Sequence, residues 1–281
     1  MFSFLKRRGT DPQAALKGAL GSLALPSFSG IVMRTLEAIR DPDASVSSVA
    51  AVLSVDPGMS VRLLRLVNSA GRSGARKVES VDRAVAVAGM ASVESLVLSI
   101  GVGSALPQPS VVGFDPRRFW ETAARRAVIA RSLAAELHPA AAGMSFTAGL
   151  LQDMAIPLLA TAREDYRPVL EAWHAGEGRL AEMERSEFGW DHSEVATWVC
   201  DSWQLPEGLA EAIGGHHKSV DGLAAPPAVE LVATLTETAD STDLDRLVAL
   251  ANERYGLAAD RCVALVKEAE EGASELARLF I

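Results

Sequence analysis

The side chains able to do chemistry in this 281-residue chain are Asp153, His192, Glu194, His216 and His217. Imidazole and carboxylate suit a divalent transition metal, which takes about four such ligands. Asp153 follows Gln152 within SFTAGLLQDMAIPLLA, where Phe146, Leu150, Leu151, Met154 and Leu158 recur at helical spacing. A buried Gln-Asp pair in such a stripe must find partners, because unpaired buried polar groups are costly. Two readings are open: a pair hydrogen-bonded to a neighbouring helix, or a metal site, present or lost. One Asp and three His dispersed along a chain are more often capping or core-satisfying residues than ligands. His138 and His174 fall at helix ends and read as surface residues.

Other chemistries have less support. No Gly-x-Ser-x-Gly elbow is present, and neither Cys200 nor Cys262 lies in an electropositive loop. Gly101-Val102-Gly103 lacks the further glycine and the strand–helix context of a phosphate cradle. Arg117, Arg118, Arg125 and Arg126 share one long predicted helix and are a candidate anion- or partner-binding patch. Against it stands the ordinary reading of surface arginines as a solvated face or a set of weak ion pairs. The five tryptophans read as core or edge aromatics.

The elements that must position these residues are helices throughout. Ile31, Val32, Thr35, Leu36 and Ile39 mark one face before Asp41-Pro42-Asp43 ends the helix. Asp56-Pro57 and Asp115-Pro116 are helix starts, each a capping carboxylate followed by proline at the first position. Ser80 caps a helix closed by Gly89, and Ser92 caps another through Ile100. Residues 101–113, rich in Gly and Pro, read as a linker. Pro157 predicts a kink or stop in the 145–160 helix. Asp191 to Glu194 read as a capping box, placing His192 in a first turn. Further helices are expected over 163–174, 178–188, 192–203, 206–217, 227–239, 244–255 and 258–280. No period-2 strand pattern occurs, so the fold class is all-α.

With 49% hydrophobic residues the chain can bury a sizeable core, and its net charge of −9 argues against non-specific nucleic-acid binding. Two cysteines make no disulfide framework and fit a reduced, cytoplasmic setting. No apolar run of about 18 residues predicts a transmembrane helix. The opening MFSFLKRR is too short in its apolar part for an export signal, and residues 1–20 read as a solvated tail with at most one helical turn.

Several stretches in order then resemble the HDOD family, bacterial signalling proteins related to the HD and HD-GYP metal-dependent phosphohydrolases. They are Leu25-Pro26-Ser27-Phe28, Asp41 to Ser45, Asp56-Pro57 leading into Leu63 to Ala70, Val81 to Gly89, Phe119-Trp120, Ala148 to Leu151, Trp190 to Val195, Leu205-Pro206 and His216-His217. The resemblance implies a multi-helix bundle over 21–220, made of an N-terminal helical part (21–105) and a degenerate HD-like part (114–220), with C-terminal helices over 226–281 packed on it. Catalytic relatives carry a His soon after the Phe-Trp pair, where Thr122 or Ala123 stands here. They carry His-Asp where this chain has Gln152-Asp153, and often Gly-Lys where it has Ala155-Ile156. A later Asp falls on Thr236 or Asp240. The remnant positions are Gln152, Asp153, His192, His216 and His217.

An amide oxygen is a far poorer ligand than imidazole. The expectation is therefore no metal, no cofactor and no phosphodiesterase activity, with a role in signal transduction through a partner protein. A cyclic dinucleotide is a variant ligand, and a divergent metal-dependent phosphohydrolase is the alternative.

Overall fold

A computed structural model describes residues 11–69, 77–217, 225–237 and 241–281. Every regular element among them is helical, as the periodicity predicts. In order they are α1 (Pro12–Leu20), α2 (Gly30–Arg40), α3 (Val46–Ser54), α4 (Pro57–Ser69), α5 (Val81–Ala88), α6 (Met90–Ala105), α7 (Pro116–Leu137), α8 (Ala142–Leu151) and α9 (Ala155–Ala162). There follow α10 (Arg167–His174), α11 (Leu180–Phe188), α12 (His192–Ser202), α13 (Glu207–Gly214), α14 (Pro227–Val232), α15 (Ser241–Tyr255), α16 (Ala259–Glu270) and α17 (Ala273–Ala277). No single helix among the described residues is long and apolar enough to cross a membrane.

The long helix α7 is the axis of the bundle. Asp115 starts it by accepting from the amide of Arg117 at 2.9 Å, with Pro116 in the first turn. Its buried alanines 123, 124, 127, 130 and 134 let α8, α14, α16 and α17 pack against it. The tightest approach is at Gly149 of α8, where an added Cβ would lie 3.1 Å from both the Ala130 Cβ and the Arg126 carbonyl. That approach brings the end of α8, and Asp153 beyond it, beside α7.

The predicted 145–160 helix is broken in two. The turn at Gln152, Asp153 and Met154 separates α8 from α9, ahead of Pro157. Proline has no N–H for the Asp153 carbonyl, and its ring crowds that oxygen. The carbonyl instead accepts from the amide of Ile156 at 2.9 Å, three residues on. The local tightening holds Asp153 on a bend rather than on a helix face.

Other sequence expectations change too: Ser92 caps nothing, as it lies inside α6, which Gly89 precedes. Residues 12–20 are not tail: Asp11 caps α1, whose Leu16, Ala19 and Leu20 are buried in a helix packed against α9 and α12. The MFSFLKRR stretch lies outside the described residues. The linker expected from residue 101 begins only after Ala105, because Gly101 and Gly103 serve close contact within α6 rather than flexibility. A Cβ at Gly101 would fall 2.7 Å from Val32, and one at Gly103 would fall 2.7 Å from Cε1 of Phe280. The predicted C-terminal helix 258–280 divides into α16 and α17 at Glu271-Gly272.

Helices α2 to α6 form the N-terminal part, with α2 packed on α3 and α6, and α3 on α5. It meets the rest through α6 on α8 and α4 on α17, so the buried apolar side chains form one core.

Candidate functional site

Four of the residues singled out by chemistry converge, although they come from three separate places in the chain. Asp153 sits on the α8–α9 bend, His192 is the first residue of α12, and His216 and His217 lie in the turn after α13. One ligand-type atom from each lies within 4.8 Å of all the others. His192 Nε2 and His217 Nε2 are 3.0 Å apart, and Asp153 Oδ1 is 3.5 Å from Nε2 of both His192 and His216. His192 and His216 are buried, whereas Asp153 and His217 keep some exposure.

Each ring is aimed by its own surroundings. Asp191 caps α12, accepting from the amides of Ser193 at 2.9 Å and Glu194 at 3.1 Å, and so fixes where His192 begins. Oε2 of Glu184 then accepts from the His192 amide at 2.9 Å and lies 2.6 Å from its Nδ1. The other oxygen of Glu184 accepts from the Tyr166 hydroxyl. Both partners are fully buried, which locks the carboxylate. His216 is set by the last turn of α13: its Nδ1 is 2.5 Å from the Ile213 carbonyl. A carbonyl only accepts, so Nδ1 carries the proton.

Arg126 of α7 closes the far side. Its guanidinium pairs with Oδ2 of Asp153 and donates twice to the Leu235 carbonyl, from Nε at 3.0 Å and NH2 at 2.6 Å. The two oxygens of Asp153 thus face different neighbours, Oδ1 the histidines and Oδ2 the guanidinium. Burial alone would raise the Asp153 pKa; Arg126 and the two histidines outweigh it and hold the carboxyl well below its usual range. Burial likewise opposes charge on His192, but Glu184 and Asp153 overcome it and hold its pKa well above the ordinary value. His217 is pushed well below it, by burial first and then by the neighbouring histidines.

The other predicted site residues go elsewhere. Gln152 is buried, and neither amide atom has a hydrogen-bond partner among the described residues. The four arginines do not form one patch. Exposed Arg117 and Arg118 pair with Glu121 and Asp115, Arg125 meets Glu270 of α16 at 2.7 Å, and Arg126 is buried at the cluster. Thr122 and Ala123 are both buried in α7. Thr236 donates to Asp243 through its amide and its hydroxyl. Asp240 lies outside the described residues. Sequence reasoning missed Glu184, Tyr166 and the Leu235 carbonyl, and gave Arg126 no role distinct from its neighbours. A buried acid within Leu180–Phe188 carries no mark that separates it from Glu182 or Glu187.

A model of the HDOD domain matches residues 25–219. The chain belongs to the HDOD family. Solved structures share the architecture of this HDOD protein at low identity. A provisionally named phosphohydrolase from Shewanella amazonensis SB2B superposes with a TM-score of 0.73 at 24% identity, covering 95% of this chain and 98% of that one. An HDOD domain protein of unknown function from Geobacter sulfurreducens gives 0.70 at 22%, covering 96% and 100%. A provisionally named signal transduction protein from Marinobacter aquaeolei VT8 gives 0.70 at 19%, covering 100% and 67%. An uncharacterized protein of Treponema pallidum (strain Nichols) is 25% identical over 197 residues, which are 69% of this chain and 37% of that protein. The HDOD chain therefore spans little more than a third of that relative's length.

The donor set fits a metal ion. Three imidazole nitrogens and one carboxylate oxygen lie within 4.8 Å of one another, and the buried Nε2 of His216 has no hydrogen-bond partner among the described residues. Bound there, an ion would act as a Lewis acid or as a structural cross-link between α12, α13 and the α8–α9 bend.

Proposed function

We propose that this HDOD protein is a regulator in bacterial signal transduction that does not hydrolyse phosphodiesters and works by binding a partner protein. The commitment of Asp153 is the observation that carries the reading. One oxygen is held by Arg126, and the other belongs to a set of four donors. Four protein ligands complete a tetrahedral shell, whereas a hydrolytic ion keeps a position open for water. Gln152, Thr122, Ala123 and Thr236 supply no imidazole or carboxylate that would hold a second ion.

The exposed apolar side chains favour a protein partner. Of the seven large ones among the described residues, Met33, Val46, Val55, Val61 and Val87 lie on or beside α2 to α5. Contiguous apolar surface marks an interaction site, and in this reading these side chains supply it. The separate partners of the four arginines give a cyclic dinucleotide no shared groove. Two free, buried cysteines suit the same cytoplasmic role.

The test uses purified protein with bis(p-nitrophenyl) phosphate or a cyclic dinucleotide and added Mn²⁺, Fe²⁺ or Zn²⁺. Turnover should not exceed the metal-only control. Val55→Asp and Val87→Asp should abolish capture of the partner recovered with the wild type, without moving the unfolding midpoint. Turnover that disappears in Asp153→Asn establishes the divergent phosphohydrolase instead.

A further inference from the structure

We propose that the cleft between α4 and the residues following α17 docks an acidic segment of a partner protein, one that sets a bulky apolar side chain among its carboxylates. The inference rests on the partner-binding reading and adds where the partner is held and by what chemistry.

Shape carries the first half. One wall of the cleft comes from α4 and the other from residues 278–281, and together they enclose about 470 Å³. That is large enough for a bulky side chain and its neighbours. The apolar part is Val61, Leu279 and Ile281, and the charged part is Arg62, Arg65 and Arg278. Val61 and Ile281 keep 47% and 59% of their surface in water, so the cleft holds apolar area still to be buried. Val61 also belongs to the exposed apolar set on α2 to α5. The far wall is built in advance: Phe280 lies against Gly103 of α6 and stacks on Trp120 of α7, with ring centroids 4.6 Å apart. A preformed wall loses little freedom when the cleft is filled.

Charge carries the second half. The chain has 36 acidic residues against 27 Lys and Arg, yet three guanidinium groups and no acidic side chain line this cleft among the described residues. Arg62 and Arg65 stand one turn apart on α4, where Cβ atoms are about 5–6 Å apart and like charges repel. Arg62 reaches the Ser104 hydroxyl at 3.4 Å, and no carboxylate among the described residues pairs with Arg62 or Arg65. Arg278 pairs with Glu275 in an exposed contact that water screens. Arginine clusters recognise acidic motifs through charge-assisted hydrogen bonds. Three guanidinium groups on two walls match carboxylates spread along a segment rather than one compact anion. A nucleotide fits less well. One face of Phe280 is committed to Trp120, and no Ser, Thr, Asn or Gln lines the cleft to read a base edge.

The experiment selects a displayed library of random peptides on the full chain, then measures the most enriched peptide by fluorescence anisotropy. Enriched sequences should place acidic residues around a Leu, Ile, Phe or Trp. Arg65→Glu and Val61→Asp, both at exposed positions, should keep the unfolding midpoint and weaken the peptide at least about 10-fold. Arg118→Glu, exposed but outside the cleft, changes net charge equally and should leave binding as it was. Added salt should weaken the wild type more than Arg65→Glu. No enrichment, enrichment without acidic residues, or equal binding by Arg65→Glu overturns the proposal. Binding of ATP or a cyclic dinucleotide that Arg65→Glu abolishes, with no peptide enriched, overturns it in favour of a small anion. If the cleft fails while Val55→Asp and Val87→Asp still abolish partner capture, the regulatory reading stands on another surface. Phosphodiester turnover beside intact peptide binding removes that reading and leaves the cleft.

Discussion

Glu184 grips His192 twice with one oxygen, accepting from its backbone amide at 2.9 Å and lying 2.6 Å from its ring Nδ1. Helix start and ring orientation are therefore fixed by the same buried carboxylate. Glu184→Gln keeps the shape and removes the charge. Hydrogen bonds to charged groups contribute about 1.5–3 kcal/mol, so the variant should lose stability in that range. The pH dependence has a definite sign. The His192 pKa is raised in the folded protein, so its contribution is complete below the unfolded value and is lost as pH rises through the folded one. Urea unfolding of chelated protein at about pH 5.5 and 8.5 should show the larger deficit at the lower pH. An equal deficit at both would mean that Glu184 acts by packing alone.

The Arg126–Asp153 pair is nearly buried, with side-chain exposures of 9% and 13%. Removing one member of such a pair strands the other, at about 3–5 kcal/mol. Arg126→Met should cost that much, and Arg126→Met with Asp153→Asn should recover most of it. The Asp153 pKa is depressed, so its contribution is present above the unfolded value and is lost as pH falls through the folded one. In Arg126→Met the Asp153 carboxyl is less depressed, so the acid loss that it causes should be smaller and complete at higher pH than in the wild type. A double-mutant cycle read by urea titration decides the matter; additive losses would show the two residues to be uncoupled.

Arg126 also shows where the sequence stops being legible. Arg125 and Arg126 are neighbours in the chain, but successive helical side chains point about 100° apart. One reaches Glu270 on α16 and the other enters the cluster. Nothing in the local pattern says which arginine faces inward. The helices themselves were readable, because capping and periodicity are local properties, and the donor types were readable because chemistry is. Their convergence was implied only by the resemblance and not by any local pattern, since it depends on how α7, α8, α12 and α13 stack. Gly101 and Gly103 misled for the opposite reason: a glycine that permits contact and a glycine that permits bending look alike until the neighbour is known.

Gly103 faces the stacked pair Trp120–Phe280, whose ring centroids are 4.6 Å apart. Gly103→Ala gains helix propensity of about 1 kcal/mol and loses more by pushing its Cβ into Phe280. Overpacking a filled site costs about 1–3 kcal/mol. A small net destabilisation with altered tryptophan fluorescence is expected. Phe280→Ala should rescue the variant, and a failure to do so would place the strain elsewhere.

Burial pushes the Glu237 carboxyl up to about 7, against the lowering effect of Arg126. A carboxyl raised in the fold gives stability that is full below its unfolded value and lost as pH rises through the folded one. Between about pH 4.5 and 7 the wild type should therefore lose stability, by on the order of 1–3 kcal/mol. Glu237→Gln should flatten that slope and be the more stable protein at pH 8. Parallel thermal scans of the two proteins across this range give the comparison; matching slopes would rule Glu237 out as the titrating group.

Gln152 is next to Asp153, yet its amide is buried with no hydrogen-bond partner among the described residues. Leaving such a group unsatisfied costs about 1–3 kcal/mol, while an apolar side chain of similar shape carries no such cost. Gln152→Met should therefore raise stability by about 1 kcal/mol and leave the neighbouring donors in place. Metal uptake by Gln152→Met should equal that of the wild type, because Gln152 supplies no imidazole or carboxylate donor. If the variant is instead destabilised, the amide is bonded to an internal water, and Gln152 is kept for that water rather than as a relic of a lost ligand.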